Sequence, residues 1–120
     1  MNANNKDGAL PKKSCSIEKL VTIPEDVEKV IEGRKTATRR NGVYANIGEI
    51  MQLKDHQFKV EHIYPQYLGD MTDTDAQQEG YKNLEAYKQA ILNIHPGMRW
   101  APKMKVWVHE YTPLNQPISS

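Results

Sequence analysis

The stretch Gly33-Arg34-Lys35-Thr36-Ala37-Thr38-Arg39-Arg40 sets four cations and two hydroxyls in eight residues. A lysine among arginines can serve as the base that a threonine hydroxyl needs before it attacks a carbonyl. Lys35 lies close to both Thr36 and Thr38 along the chain. In extended backbone, alternation sends Lys35 to one side and both threonines to the other, so pairing Lys35 with Thr38 requires a turn. The same charges have an ordinary reading as a surface turn. A helix ending near Gly33 leaves carbonyls without partners, and cations after it complement the negative end of the dipole.

The other residues able to do chemistry also have two readings. Glu79 closes a short helical segment, where the dipole disfavours an anion; that suggests a purpose, and a solvated surface glutamate fits equally. Trp100, Trp107, Tyr44, Tyr64 and Tyr67 could stack on a base, although most belong more naturally to a core. His56, His62, His95 and His109 lack metal-ligand spacing, so no metal site is expected. Asp70, Asp73 and Asp75 lack the glycine and closing glutamate of a calcium loop, and capping accounts for them better. Cys15 has no evident activating partner and reads as a small buried residue.

The elements that must position these groups follow from pattern. Cys15 to Thr22 suits a short first strand. Pro24 opens a helix with Glu25 and Asp26 in its first turn; Val27, Val30 and Ile31 form its apolar face, and Gly33 stops it. Ile47 to Leu53, entered through Gly48-Glu49, and Phe58 to Tyr64 predict a hairpin. Pro65 ends the pairing or marks an edge, and Tyr67-Leu68 extends the strand. Thr74 and Gln77 have capping-box spacing for the helix that Gly80 closes. Asn83 caps a second helix with Leu84, Tyr87, Ile91 and Ile94 on one face, terminated by His95-Pro96-Gly97. Met104 to Tyr111 has apolar residues on both faces and predicts a central or barrel strand. Short strands with helices inserted between them predict an α+β fold, a small antiparallel barrel with inserted helices; the alternative is an open sandwich.

The chain has 120 residues and a formal charge of +1, which suits one domain and announces no polyanion partner, so any anion site must arise by local clustering. Residues 1–13 and 115–120 carry too little apolar surface to pack and are expected to be disordered tails around a domain at 14–114. A lone cysteine forbids an internal disulfide, and the absence of a leader or long apolar run predicts a cytoplasmic protein with no membrane partner.

The motif from Gly33 to Arg40 resembles the glycine, any, lysine, threonine, any, threonine, any, arginine signature of the ASCH domain, in the PUA-like β-barrel superfamily. Gly48-Glu49, Gln78-Glu79 and Val106-Trp107-Val108-His109-Glu110-Tyr111 keep the order of later family features. The segment Leu84 to Gly97 is similar to bacterial ASCH proteins that act as N(4)-acetylcytidine amidohydrolases, and the resemblance spans roughly Leu20 to Leu114. It implies Lys35 as proton acceptor, Thr38 as nucleophile and Glu79 as proton donor, with Arg40 or backbone amides at the oxyanion and no metal or cofactor. It also leaves open an RNA-binding module, or a ribonuclease, in which Arg34, Arg39 and Arg40 hold phosphates. Arg39 departs from the nearest enzymes, which carry an apolar residue there, and Met98 to Lys103 is longer than the matching connection and could cover the pocket.

Overall fold

The computed structural model describes residues 10–114. Three α-helices and four strands follow along them in the order α1 (Pro24–Ile31), β1 (Ala37–Arg40), β2 (Ile50–Leu53), β3 (His56–Tyr67), α2 (Asp73–Gln78), α3 (Leu84–Ile94) and β4 (Lys105–Pro113). The strands form one antiparallel sheet in the order β1-β4-β3-β2, curled into half a barrel. The expected barrel with inserted helices is therefore the architecture, and there is no second facing sheet among the described residues.

The two long strands carry the sheet. β3 and β4 pair from Phe58 opposite Pro113 to Tyr67 opposite Lys105. A bulge between Val60 and His62 breaks the alternation, so the buried residues of β3 run Phe58, Val60, Ile63. One extra residue on one strand reverses which side chains face inward beyond it. β3 continues through Pro65 to Tyr67, as the edge reading of Pro65 and the extension at Tyr67 predict, and Leu68 begins a 3-10 turn instead of prolonging the strand. β2 pairs only with residues 56–59, so one side of β3 is open at Pro65 and a residue without an N–H is tolerated there.

β4 lies between β1 and β3, and both its faces are covered, as its sequence predicts. One core gathers Leu20, Val30, Met51, Phe58, Val60 and Tyr111; the other gathers Leu68, Met71, Ala76, Tyr87 and Val106. The amphipathic face of α1 meets the first core, and α2 and α3 close the second.

Two local expectations are corrected. Cys15 to Thr22 is not a strand but contains a 3-10 turn at Ile17–Lys19, with Ile17, Leu20 and Val21 buried. That spacing of three and four residues belongs to a helical turn, not to alternation. The capping box of α2 is Thr72 with Asp75, two residues before the predicted pair: Asp75 N donates to Thr72 Oγ1 and Thr72 N to Asp75 Oδ2. The predicted tails fall largely at residues 1–9 and 115–120, outside the described residues. Within 10–13, Leu10 packs against the first core and Lys13 pairs with Glu49 at 3.3 Å. Among the described residues no helix is long and apolar enough to cross a membrane.

Candidate functional site

Lys35 and Glu79 lie 44 residues apart in the chain and are brought together by backbone hydrogen bonds beside them. α1 ends with Gly33 at φ +83°, and the amides of Arg34 and Lys35 both donate to Lys29 O. Thr36 N then donates to Gln78 O at 2.7 Å, and Tyr111 N donates to Thr36 O at 3.1 Å. The segment before β1 is thus fixed to the C-terminal end of α2 on one side and to β4 on the other. Gly80 permits the close approach: its φ is +92°, and a Cβ there would lie 2.9 Å from Lys29 Cδ and 3.5 Å from Lys35 Cβ.

At this junction sits a buried cluster of charges. Lys35 Nζ lies 2.5 Å from Glu79 Oε1, and Arg39 Nη1 donates to Glu79 Oε2 at 2.9 Å. Arg39 Nε donates to Gln66 Oε1 at 2.8 Å, while Nη2, without a hydrogen bond, lies 3.4 Å from Asp75 Oδ1. Lys35, Arg39 and Glu79 are each at most 6% exposed, so their charges depend on one another rather than on water. Alternation explains the grouping, since Lys35, Ala37 and Arg39 lead to one side of the segment. Glu79, predicted equally well as a surface residue, is buried, and two cations offset its unfavourable place at a helix end.

Thr38 projects from β1 and is held at two points by β4. Its Oγ1 lies 2.8 Å from the Tyr111 hydroxyl. Its carbonyl faces His109 Nδ1 at 3.3 Å, while His109 Nε2 accepts from the Tyr44 amide at 3.0 Å. These partners fix His109 as the tautomer protonated at Nδ1. The ring is fully buried, and burial pushes its pKa below the ordinary histidine value. Burial pushes the phenols of Tyr111 and Tyr87 far upward, so both stay protonated.

Lys35, Thr38 and Glu79 all line one cavity of about 650 Å³, together with Arg39 and Arg40. Lys35 and Thr38 share no hydrogen bond; each faces the cavity from its own partner. Arg40 donates from Nη2 to Leu20 O at 2.7 Å, sits over the Tyr44 ring, and among the described residues pairs with no carboxylate. Arg34 lies outside the cavity on the surface and pairs with Glu32 at 2.7 Å. Cys15 is half-buried at the cavity wall. Among the described residues, no three His, Cys, Asp or Glu side chains converge as a metal site.

Tyr111 and His109 are the site residues that sequence reasoning missed. Both were visible only as inward positions of a strand, because Tyr111 meets Thr38 across 73 residues of chain and no local spacing signals that contact.

No protein-family model matches the chain, and no curated protein matches it. Among solved structures it is similar to an ASCH domain from Lactobacillus crispatus, with a TM-score of 0.63 and 10% identity, over 92% of this chain and 89% of that one. It is also similar to the protein EF3133 from Enterococcus faecalis, with a TM-score of 0.50 and 15% identity, over 73% of this chain and 66% of that one. The chain therefore has the fold of an ASCH domain.

Proposed function

We propose that the protein is an amidohydrolase that removes the acetyl group from N(4)-acetylcytidine or a related acylated nucleoside. The observation that carries this reading is that a lysine–glutamate pair and a threonine hydroxyl, all buried, face one cavity. The fold and the motif at residues 33–40 support it as well.

The reaction requires the Lys35–Glu79 pair to carry its one proton on Glu79 at the moment of attack, so that the amine acts as base and the carboxyl as acid. Thr38 Oγ1 then attacks the acetyl carbonyl as its own proton passes to Lys35, and Glu79 protonates N4 as the C–N bond breaks. The products of this step are cytidine, an acetyl ester on Thr38, and a pair that again holds one proton. Water then attacks the ester carbonyl and the bond from the acyl carbon to Thr38 Oγ1 breaks; one of the water's hydrogens restores the Thr38 hydroxyl, and the other leaves as a proton with acetate. Arg40 supplies a cation for binding the substrate.

The second reading, an RNA-binding module, relies on Arg34, Arg39 and Arg40 as phosphate contacts. It is weakened by the burial of Arg39 against Glu79 and by the pairing of Arg34 with Glu32. Release of cytidine from N(4)-acetylcytidine by the purified protein tests the choice, with Lys35→Ala and Thr38→Ala alongside. Turnover is expected in the intact protein and in neither variant. A folded protein that releases no cytidine would remove the amidohydrolase reading.

A further inference from the structure

The cavity does not end at the reactive groups. A second chamber of about 460 Å³ adjoins it, and the two share Arg39, Arg40, Tyr44, Tyr87, Ile91 and His95. Beyond that shared wall the second chamber is lined mainly by Leu68, Met98, Trp100, Met104 and Val106. Each chamber falls within the roughly 300–1,000 Å³ that holds a small organic ligand.

The far wall is built rather than loose. The connection between α3 and β4, which carries Met98 and Trp100, is tied to the end of β3: Leu68 N donates to Met104 O at 3.0 Å, and Gly69 N donates to Pro102 O at 2.8 Å. A Cβ on Gly69 would fall 2.9 Å from Pro102 Cβ, so the two strands of chain are in close contact. Trp100 is fixed edge-on against Tyr87, with Lys88 Nζ 5.0 Å from its ring.

Charge at the threshold identifies the occupant. Arg39 is paired with Glu79 and Asp75, whereas among the described residues Arg40 has a backbone carbonyl as partner and no carboxylate. Arg40 also lies two residues from Thr38 on the same side of β1, about 7 Å along the strand. From the reacting hydroxyl outward, the site therefore offers an acyl-transfer chamber, a cation that pairs with no carboxylate among the described residues, and an apolar, aromatic chamber. An aliphatic tail has no use for that cation. A base, a phosphodiester and a second base match the sequence of environments.

We propose that the second chamber is a subsite for the nucleotide adjoining the acylated cytidine in an RNA strand, with Arg40 holding the phosphodiester between them. This assignment rests on the amidohydrolase reading for what fills the first chamber. It makes an oligonucleotide the better substrate, with the free nucleoside filling the first chamber alone.

The kinetic test compares N(4)-acetylcytidine with dinucleoside monophosphates that join it to adenosine at either end. At least a tenfold higher kcat/KM is expected for one of the dinucleotides, expressed in KM. Trp100→Leu, which keeps an apolar side chain and removes the flat ring, and Met104→Ala should each bring the ratio of dinucleotide to nucleoside toward one. Equal kcat/KM for all substrates in the intact protein overturns the proposal, as does a ratio unmoved in both variants. Calorimetric titration of the intact protein with unacetylated cytidylyl-adenosine, adenylyl-cytidine and cytidine tests the subsite without turnover. Should no substrate turn over, a tenfold tighter dinucleotide that loses its advantage in Trp100→Leu sustains the subsite while the catalytic reading falls. Equal affinity for all three ligands overturns the subsite.

Discussion

Tyr111→Phe removes one oxygen from the site and leaves almost everything else in place. The ring is buried in the first core and packs edge-on against Phe58 with centroids 6.3 Å apart, and phenylalanine keeps that packing. What is lost is the 2.8 Å contact to Thr38 Oγ1. Because burial drives the Tyr111 pKa far upward, the phenol stays protonated throughout the neutral range and is able to donate. A phenol that donates to Thr38 leaves the threonine's own hydrogen for Lys35 and supports the negative charge that grows on Oγ1 during attack. Loss of such a neutral hydrogen bond costs about 0.5–1.5 kcal/mol of stability. Loss of one orienting donor on the nucleophile should lower kcat about 10- to 100-fold, a barrier increase of about 1.4–2.7 kcal/mol, with KM little changed. The assay is steady-state cytidine release beside a thermal melt, with Thr38→Ser as a variant that retains the hydroxyl. An unchanged kcat together with a lowered melting temperature would show that the bond serves only packing and would refute the orienting role.

Three further expectations concern stability. Lys35→Met leaves Glu79 buried with Arg39 as its remaining cation, and removing one member of such a group should cost about 3 kcal/mol in urea unfolding; a loss below about 1 kcal/mol would mean that the carboxylate reaches water. Burial lowers the pKa of His109, so between that value and about 6.5 the unfolded chain binds the extra proton and stability falls with pH, by up to about 1.4 kcal/mol per pH unit for this one group. His109→Gln should be less stable at pH 7.5 and show a flatter decline toward pH 5.5, and parallel declines in the two proteins would exclude His109 as the source. Gly80→Ala places a Cβ at φ +92° beside Lys29, and a loss of about 1–2 kcal/mol should appear as a lowered thermal midpoint, with none expected only if the turn relaxes freely.

Much of the fold was legible because its elements announce themselves locally. Pro24 and Gly33 bracket α1, Asn83 caps α3 through Ala86 N, and the doubly apolar run of β4 marks an interior strand. The failures have equally physical causes. Cys15, Ile17 and Val21 suit a strand by short-range composition, although burial of Ile17, Leu20 and Val21 follows a turn of helix. At α2 two overlapping pairs have the required spacing, and Thr72 with Asp75 prevails in the fold. The bulge in β3 has no composition signal, yet it decides that Ile63 faces inward instead of His62.

The charge of residues 33–40 is where sequence and structure differ most in meaning. Four cations read in a row suggest a basic face, but folding distributes them to different partners. Arg34 turns outward to Glu32, Lys35 and Arg39 converge on Glu79 with Asp75 beside them, and Arg40 pairs with no carboxylate among the described residues. Buried Lys35, Arg39 and Glu79 with half-buried Asp75 sum to no formal charge, so this stretch presents Arg40 as its one cation to the cavity free of that cluster, where its composition suggests four. For a single strand, each phosphate neutralised contributes about −0.7 to the slope of log affinity against log salt, so an oligonucleotide bound through Arg40 alone should give a slope of about −0.7, and one bound through all four about −2.8. Titration of a short cytidine-containing oligonucleotide across a series of salt concentrations distinguishes these values. A slope near the larger one would show that the ion pairs open on binding, and the site would then have to be read as a polyanion surface instead of a closed pocket with one anchoring cation.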